Sequence, residues 1–205
     1  MKSIEAHKKL LDLNQPVIKT VDAAACLNTN ITTASKILAR LRDAKLINKI
    51  LRNLWSLDLN LDPLTLPEYL TFPLPSYISM QTALFYHGMI SQIPETIYVI
   101  SLDRTKQYIT PMGKISVHHI DPNLFFGFDV VENTNIKLAS PEKALIDFFY
   151  LYSARSLLFR KLPELEIPKH FSKQKINLII NKISLDKRRV MVEAQLNKIF
   201  EIKKQ

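Results

Sequence analysis

The chain has 205 residues, with 28 Lys and Arg against 19 Asp and Glu and a net charge of +9. An apolar fraction of 47% beside a charged fraction of 23% is ordinary for a globular chain and excludes a wholly disordered one. Three glycines leave no G-x-G-x-x-G or G-x-x-x-x-G-K-[ST] phosphate loop, and the one cysteine, Cys26, excludes an internal disulfide or a cysteine-built zinc centre.

Met1 to Leu13 carries Lys2, Glu5, Lys8, Lys9 and Asp12 and lacks the apolar stretch of an export signal. Tyr69 to Pro94 contains no charged residue, but Pro73, Pro75, Gln81, His87, Gly88 and Gln92 interrupt it, so it is not a membrane-spanning run. A soluble, cytoplasmic protein is expected. Charge is uneven: residues 1–62 are net +4, residues 63–160 net −1 and residues 161–205 net +6. Two basic ends around a near-neutral middle point to a polyanionic partner for at least one end.

The N-terminal pattern predicts a helix over Ser3 to Leu13 and a second over Val21 to Leu27, capped by Thr20 and packing through Val21, Ala24, Ala25 and Leu27. Asn28-Thr29-Asn30 is turn chemistry. A third helix is expected from Thr32 to Lys45. Ala34, Ile37, Leu38, Leu41 and Ala44 fall on one face, and Thr32, Ser35, Lys36, Ala39 and Arg40 on the other, with Thr33 and Arg42 on its flanks. Two short strands follow, Ile47 to Ile50 and Leu54 to Leu57, with Asn53 suited to positive φ in the turn between them. This order predicts a winged helix-turn-helix over residues 1–62. Thr32, Thr33, Ser35, Lys36, Arg40 and Arg42 would face the major groove, and Lys49, Arg52 and Asn53 would lie on or near a wing, with Trp55 packed beneath it.

Residues 63–75, with Pro63, Pro67, Pro73 and Pro75 and no clear period, read as a stiff linker. Beyond it, Ser79 suits the cap of a helix from Met80 to His87, ended by Gly88. Thr96 to Ser101, Ile115 to Ile120, Phe126 to Val131 and Ile136 to Ala139 read as strands. Ser140-Pro141-Glu142 opens a helix with Ala144, Leu145, Phe148, Phe149 and Leu151 as its apolar positions. In the basic tail, Ile176, Ile179, Ile180 and Ile183 have helical spacing, as do Val190, Met191 or Ala194, Leu196 and Ile199. They suggest two amphipathic helices that pack on the middle block or add a basic patch for DNA or RNA. The fold class expected is α+β: a winged helix followed by a mixed α/β domain over residues 76–205 with C-terminal helices.

Four segments carry a family resemblance: YISMQTALFYHGMISQI (Tyr77 to Ile93), GKISVHHI (Gly113 to Ile120), LFFGF (Leu124 to Phe128) and IKLASPEKALIDFFYL (Ile136 to Leu151). With the N-terminal block, the chain resembles the AbiEi antitoxins of type IV toxin–antitoxin systems, an abortive-infection class of phage defence, over most of residues 17–152. The resemblance implies a winged-helix repressor of its own operon that binds promoter inverted repeats in double-stranded DNA. It also implies a second domain that neutralises a nucleotidyltransferase-like toxin, AbiEii, without a stable complex. The motif residues it marks are Tyr86, His87, Gly88, Pro141, Glu142, Lys143 and Asp147, at least partly architectural. Relatives often carry glycine before an aromatic in the wing, where this chain has Arg52-Asn53-Leu54-Trp55.

Other chemistry is weakly indicated. His118 and His119 would point to opposite faces of a strand and cannot easily share an ion. Asp103, Asp129, Glu142 and Lys143 lack the spacing of a nuclease cluster, Ser140 has no nucleophile-elbow glycines, and Cys26 sits among alanines as a packing residue. No enzyme, cofactor or metal is expected. The alternatives are a winged-helix regulator whose second domain senses a ligand or protein, with no toxin partner, and a nuclease acting on nucleic acid.

Overall fold

The computed structural model describes residues 3–152 and 165–202. It is a mixed α+β structure with eight α-helices and two sheets among the described residues. Residues 161–164 of the basic tail lie outside them. The chain divides into two compact units, Met1–Pro63 with Ile109–Gly113, and Leu64–Tyr108 with Lys114–Gln205. Among the described residues no helix is long and apolar enough to cross a membrane.

The first unit runs α1 (Ser3–Leu11), β1 (Val17–Lys19), α2 (Thr20–Cys26), α3 (Ile31–Asp43), β2 (Asn48–Leu51) and β3 (Leu54–Ser56). Its antiparallel sheet has the order β1-β3-β2, with Trp55 opposite Ile18 on one side and Lys49 on the other. The periodicity of α3 is realised: Ala34, Ile37, Leu38 and Leu41 are buried, and Ile37, Leu38 and Leu41 pack with Leu10, Ile18, Ala23 and Trp55 in one core. Ala44 lies past the helix end and is exposed, contrary to expectation. Asn28 turns the chain with φ 49°, and Asn30 caps α3, its side-chain oxygen accepting from Thr33 N at 2.8 Å.

The start of α2 corrects the reading of Thr20. Lys19 is the cap residue, and Asp22 accepts from its backbone N–H at 2.8 Å. Thr20 is instead buried, and its Oγ1 accepts from Trp55 Nε1 at 2.9 Å. Ala23, Ala24 and Leu27 are the packing positions, while Val21 and Ala25 are exposed. β1 is three residues long, too short for alternation to mark it.

Residues 63–75, all but Pro63 in the second unit, are more structured than a linker. A 3₁₀ turn (Pro63–Thr65) leads into α4 (Leu66–Thr71), with Leu66, Pro67 and Thr71 buried. Proline suits the first turn of a helix, so Pro67 opens α4 where it would end one. Then come β4 (Ser76–Ile78), α5 (Met80–Tyr86), β5 (Thr96–Ser101), β6 (Lys106–Thr110), β7 (Gly113–His119), β8 (Phe128–Val130), β9 (Lys137–Ala139), α6 (Pro141–Tyr152), α7 (Lys173–Ile180) and α8 (Asp186–Ile202). The sheet order is β6-β7-β5-β4-β9-β8, with β4 antiparallel to β5 and parallel to β9, and β5 parallel to β7.

α5, α6, α7 and α8 share a core with Tyr77, Ile100 and Ile120. α6 is nearly all buried, which explains why LIDFFYL is apolar on every side apart from Asp147. α7 buries Ile176, Ile179 and Ile180 as expected. In α8 the buried positions are Val192 and Leu196, whereas Val190 and Ala194 are exposed, because the helix turns its 192/196 edge inward.

Candidate functional site

Two groups of residues stand out, one in each unit. On α3 the outward face carries Thr32, Ser35, Lys36 and Arg40, all exposed, with Thr33 exposed on one flank. Lys36 and Arg40 are one turn apart and project from the same side. Arg42 is exposed but bound: its Nε and Nη2 donate to Asp43 Oδ1 at 3.0 and 2.7 Å. The β2–β3 connection is only Arg52-Asn53, with Asn53 at φ 68°. Asn53 O accepts from Thr20 N at 3.0 Å, which ties this turn to the start of α2. Lys49 stands 5.5 Å above the Trp55 ring, so its ammonium is drawn over an aromatic face. The nine residues thus form an exposed α3 group, an Arg42 held by its neighbour, and a hairpin group of Lys49, Arg52 and Asn53 on a very short turn.

In the second unit the segments ALFYHG and ASPEKALID meet, because α5 packs against α6. Lys143 and Asp147, one turn apart on α6, are completely buried and form an ion pair. Asp147 Oδ2 also accepts from Tyr77 Oη at 2.9 Å and from Ser79 Oγ at 2.7 Å. The Lys143 ammonium lies 5.6 Å from the Tyr77 ring centre and 5.7 Å from that of Phe126. Burial pulls this ammonium below the usual lysine range, opposed by the Asp147 charge. Burial, then the Asp147 carboxylate, pushes the Tyr77 phenol well up. Ser79 stands at the N-cap position of α5 as expected, but its hydroxyl goes to Asp147 and not to a helix N–H, and Met80 after it takes φ 54°, a strained setting for a side chain.

The remaining motif residues are also structural in their contacts. His87 Nε2 donates to Ala139 O at 2.7 Å, joining the end of α5 to β9. Gly88 has φ 65°, and the bonds Gly88 N to Phe85 O and Met89 N to Leu84 O close the helix. Pro141 begins α6, and Ser140 Oγ accepts from Lys143 N at 3.3 Å. Glu142 is buried, and its Oε1 accepts from Ser172 N at 2.7 Å, at the cap of α7. Tyr86, by contrast, is 56% exposed.

The sequence reading missed Tyr77, Ser79 and Gly127 as parts of this network. Gly127 has φ 77° and lies directly against the Lys143 stem. Its place in LFFGF, beside two phenylalanines in a chain with three glycines, was the available signal.

The Lys143–Asp147 pair is closed within the core, Asp129 is exposed on β8, and Asp103 Oδ1 accepts from Arg104 N at 2.7 Å. His118 is buried against Ser116 Oγ at 2.9 Å, and burial lowers its pKa to about 4. His119 is exposed on the other face. Among the described residues no three His, Cys, Asp or Glu are placed to hold a metal ion. Cys26 donates to Lys9 O at 3.3 Å.

Several tail cations rest on aromatic faces. Lys182 lies 4.3 Å from the Phe126 ring centre, Arg188 4.7 Å from that of Tyr150 and Lys173 5.2 Å from that of Phe200. A groove of roughly 700 Å³ runs between α7 and α8, with Ile176, Ile180 and Leu196 as its floor and Asn177, Asn181 and Asn197 on its rims. Compared with known proteins, the chain matches no family model and no curated protein.

Proposed function

We propose that the first unit is a winged helix-turn-helix that binds double-stranded DNA, and that the chain is an autorepressing antitoxin of the AbiEi type acting in the cytoplasm. The observation that carries the DNA-binding reading is the order α1-β1-α2-α3-β2-β3 around a β1-β3-β2 sheet, with Thr32, Ser35, Lys36 and Arg40 exposed on α3. What supports the antitoxin reading is the family resemblance, together with the packing of its two most specific segments against one another as α5 and α6. In this reading the target is the inverted repeats of the chain's own promoter, and the second unit opposes a nucleotidyltransferase-like toxin without a stable complex. The buried state of Lys143, Asp147 and Glu142 favours a scaffolding role for these motif residues over catalysis.

One experiment tests both parts. The adjacent gene is expressed alone, with the full chain, and with Lys36→Ala/Arg40→Ala, while promoter binding is measured over a salt series. The expected result is growth arrest by the neighbour and rescue by both chains. The variant should bind promoter DNA less tightly, with a salt slope smaller by about 2, near 0.9 for each lost phosphate contact. A harmless neighbour removes the antitoxin reading, and unchanged promoter affinity removes the assignment of α3.

The second reading is a DNA-binding regulator whose second unit senses a ligand. The α7–α8 groove favours it, since its volume falls in the range of small-molecule sites. Promoter binding with a harmless neighbour selects this reading.

A further inference from the structure

The outward side chains at the start of α3 are methyl- and hydroxyl-bearing, and the cations come later. Ile31 is 55% exposed, and Thr32 and Ser35 are exposed beside it. Lys36 and Arg40 follow one and two turns on, and Arg42 is held by Asp43. Asn30, the cap residue of this helix, has its oxygen closed on Thr33 N, and Asn28 lies two residues earlier in the turn.

The major groove distinguishes bases by chemistry. Guanine is read by bidentate Arg or Lys, adenine by bidentate Asn or Gln, and thymine by apolar contact with its C5-methyl group. The N-terminal part of a recognition helix lies nearest the base edges. The first turn of α3 carries no Arg, Lys, Asn or Gln. Ile31 and Thr32 present methyl groups there, and an isoleucine more than half exposed gains by leaving water.

We propose that Ile31 and Thr32 specify thymine through its 5-methyl group, while Lys36 and Arg40 hold phosphates. This inference rests on the DNA-binding reading of the first unit. It makes the bases read by α3 thymine-bearing, a property of the target that the charge of the helix does not dictate.

The test begins with selection of duplexes from a random-sequence DNA library by the full chain. Each thymine of the selected site is then replaced in turn by deoxyuridine, which removes only the methyl group. The expected result is one or two positions where the replacement weakens binding about fourfold, the value of one buried methyl-sized group. Ile31→Ala should bind the thymine and uridine duplexes equally at one of them, and Thr32→Ser at another if two are found. Lys36→Ala should weaken both duplexes and leave their ratio unchanged. A selected site with no uridine-sensitive position overturns the proposal, as does sensitivity that survives in both Ile31→Ala and Thr32→Ser. Failure to enrich any sequence overturns the DNA-binding reading beneath it.

Discussion

Gly127 lies against the stem of Lys143: a Cβ built on the glycine would stand 3.2 Å from Lys143 Cγ and 3.3 Å from its Cβ and Cδ. The contact is with the first carbons of a buried side chain whose far end is fixed by Asp147, so the stem has little room to give. The backbone at 127 also has φ 77°, where glycine is at ease and other residues are strained. Gly127→Ala is expected to lower stability by about 1–3 kcal/mol through backbone strain and overpacking. A fall in the urea midpoint with an unchanged slope checks this, and an unshifted midpoint shows that the stem moves aside.

Asp147 is the acceptor for three donors in the same buried space. Asp147→Ala strands a buried ammonium and should cost about 3–5 kcal/mol. Adding Lys143→Met should recover part of the loss, because the orphan charge is gone while the Tyr77 and Ser79 hydroxyls still lack their acceptor. Denaturant unfolding of the two variants separates these contributions. Equal stability of the single and double variants would show that the charge was never the cost.

Trp55 is the single tryptophan of the chain, and its N–H ends on Thr20 in the core of the first unit. Thr20→Val removes the acceptor at nearly constant volume and should destabilise this unit by about 1–3 kcal/mol, the cost of a buried unpaired donor. Intrinsic fluorescence reports the unfolding of this unit directly. Combining Thr20→Val with Trp55→Phe should restore much of the loss, read by circular dichroism, since neither polar group then remains.

His118 gives a pH dependence of defined sign. Burial holds its folded pKa at about 4, below the 6.5 of an unfolded histidine. The unfolded chain therefore binds more protons between those values, and stability rises with pH there. This contribution is fully present above pH 6.5 and is lost as pH falls towards 4. His118→Gln should flatten the stability–pH slope in this window by close to one proton. The same slope in both chains would place the proton uptake elsewhere.

The legible parts of the fold were those written in periodicity. α3 announced its buried face through Ala34, Ile37, Leu38 and Leu41, and β5 was read at its observed limits because TIYVIS is dense in β-formers. Asn53 and Gly88 were legible from backbone chemistry, and both have positive φ. Elements of three residues, such as β1 and β4, are too short to carry a period. α4 was hidden by its prolines, and Thr20 by a long-range partner 35 residues away. The buried network was half legible: Lys143 and Asp147 stood out in the motif and Gly127 in LFFGF, but nothing local in Tyr77 or Ser79 discloses that they converge on α6. On α8 the polar and apolar positions are too evenly mixed for the pattern to select Val192 over Val190.

The α4 segment decides where the chain can be cut. Thr71 Oγ1 donates to Pro67 O and accepts from Ser76 Oγ, Tyr108 Oη donates to Leu70 O, and Lys137 pairs with Glu68 at 3.0 Å. A fragment beginning at residue 76 would leave β4 bare on one side and remove the fully buried Leu66 from its place. A fragment that is to keep α4 with the strand it packs on must therefore begin no later than Leu64. Of the prolines that look like a spacer, Pro67, Pro73 and Pro75 belong to the body of the second unit.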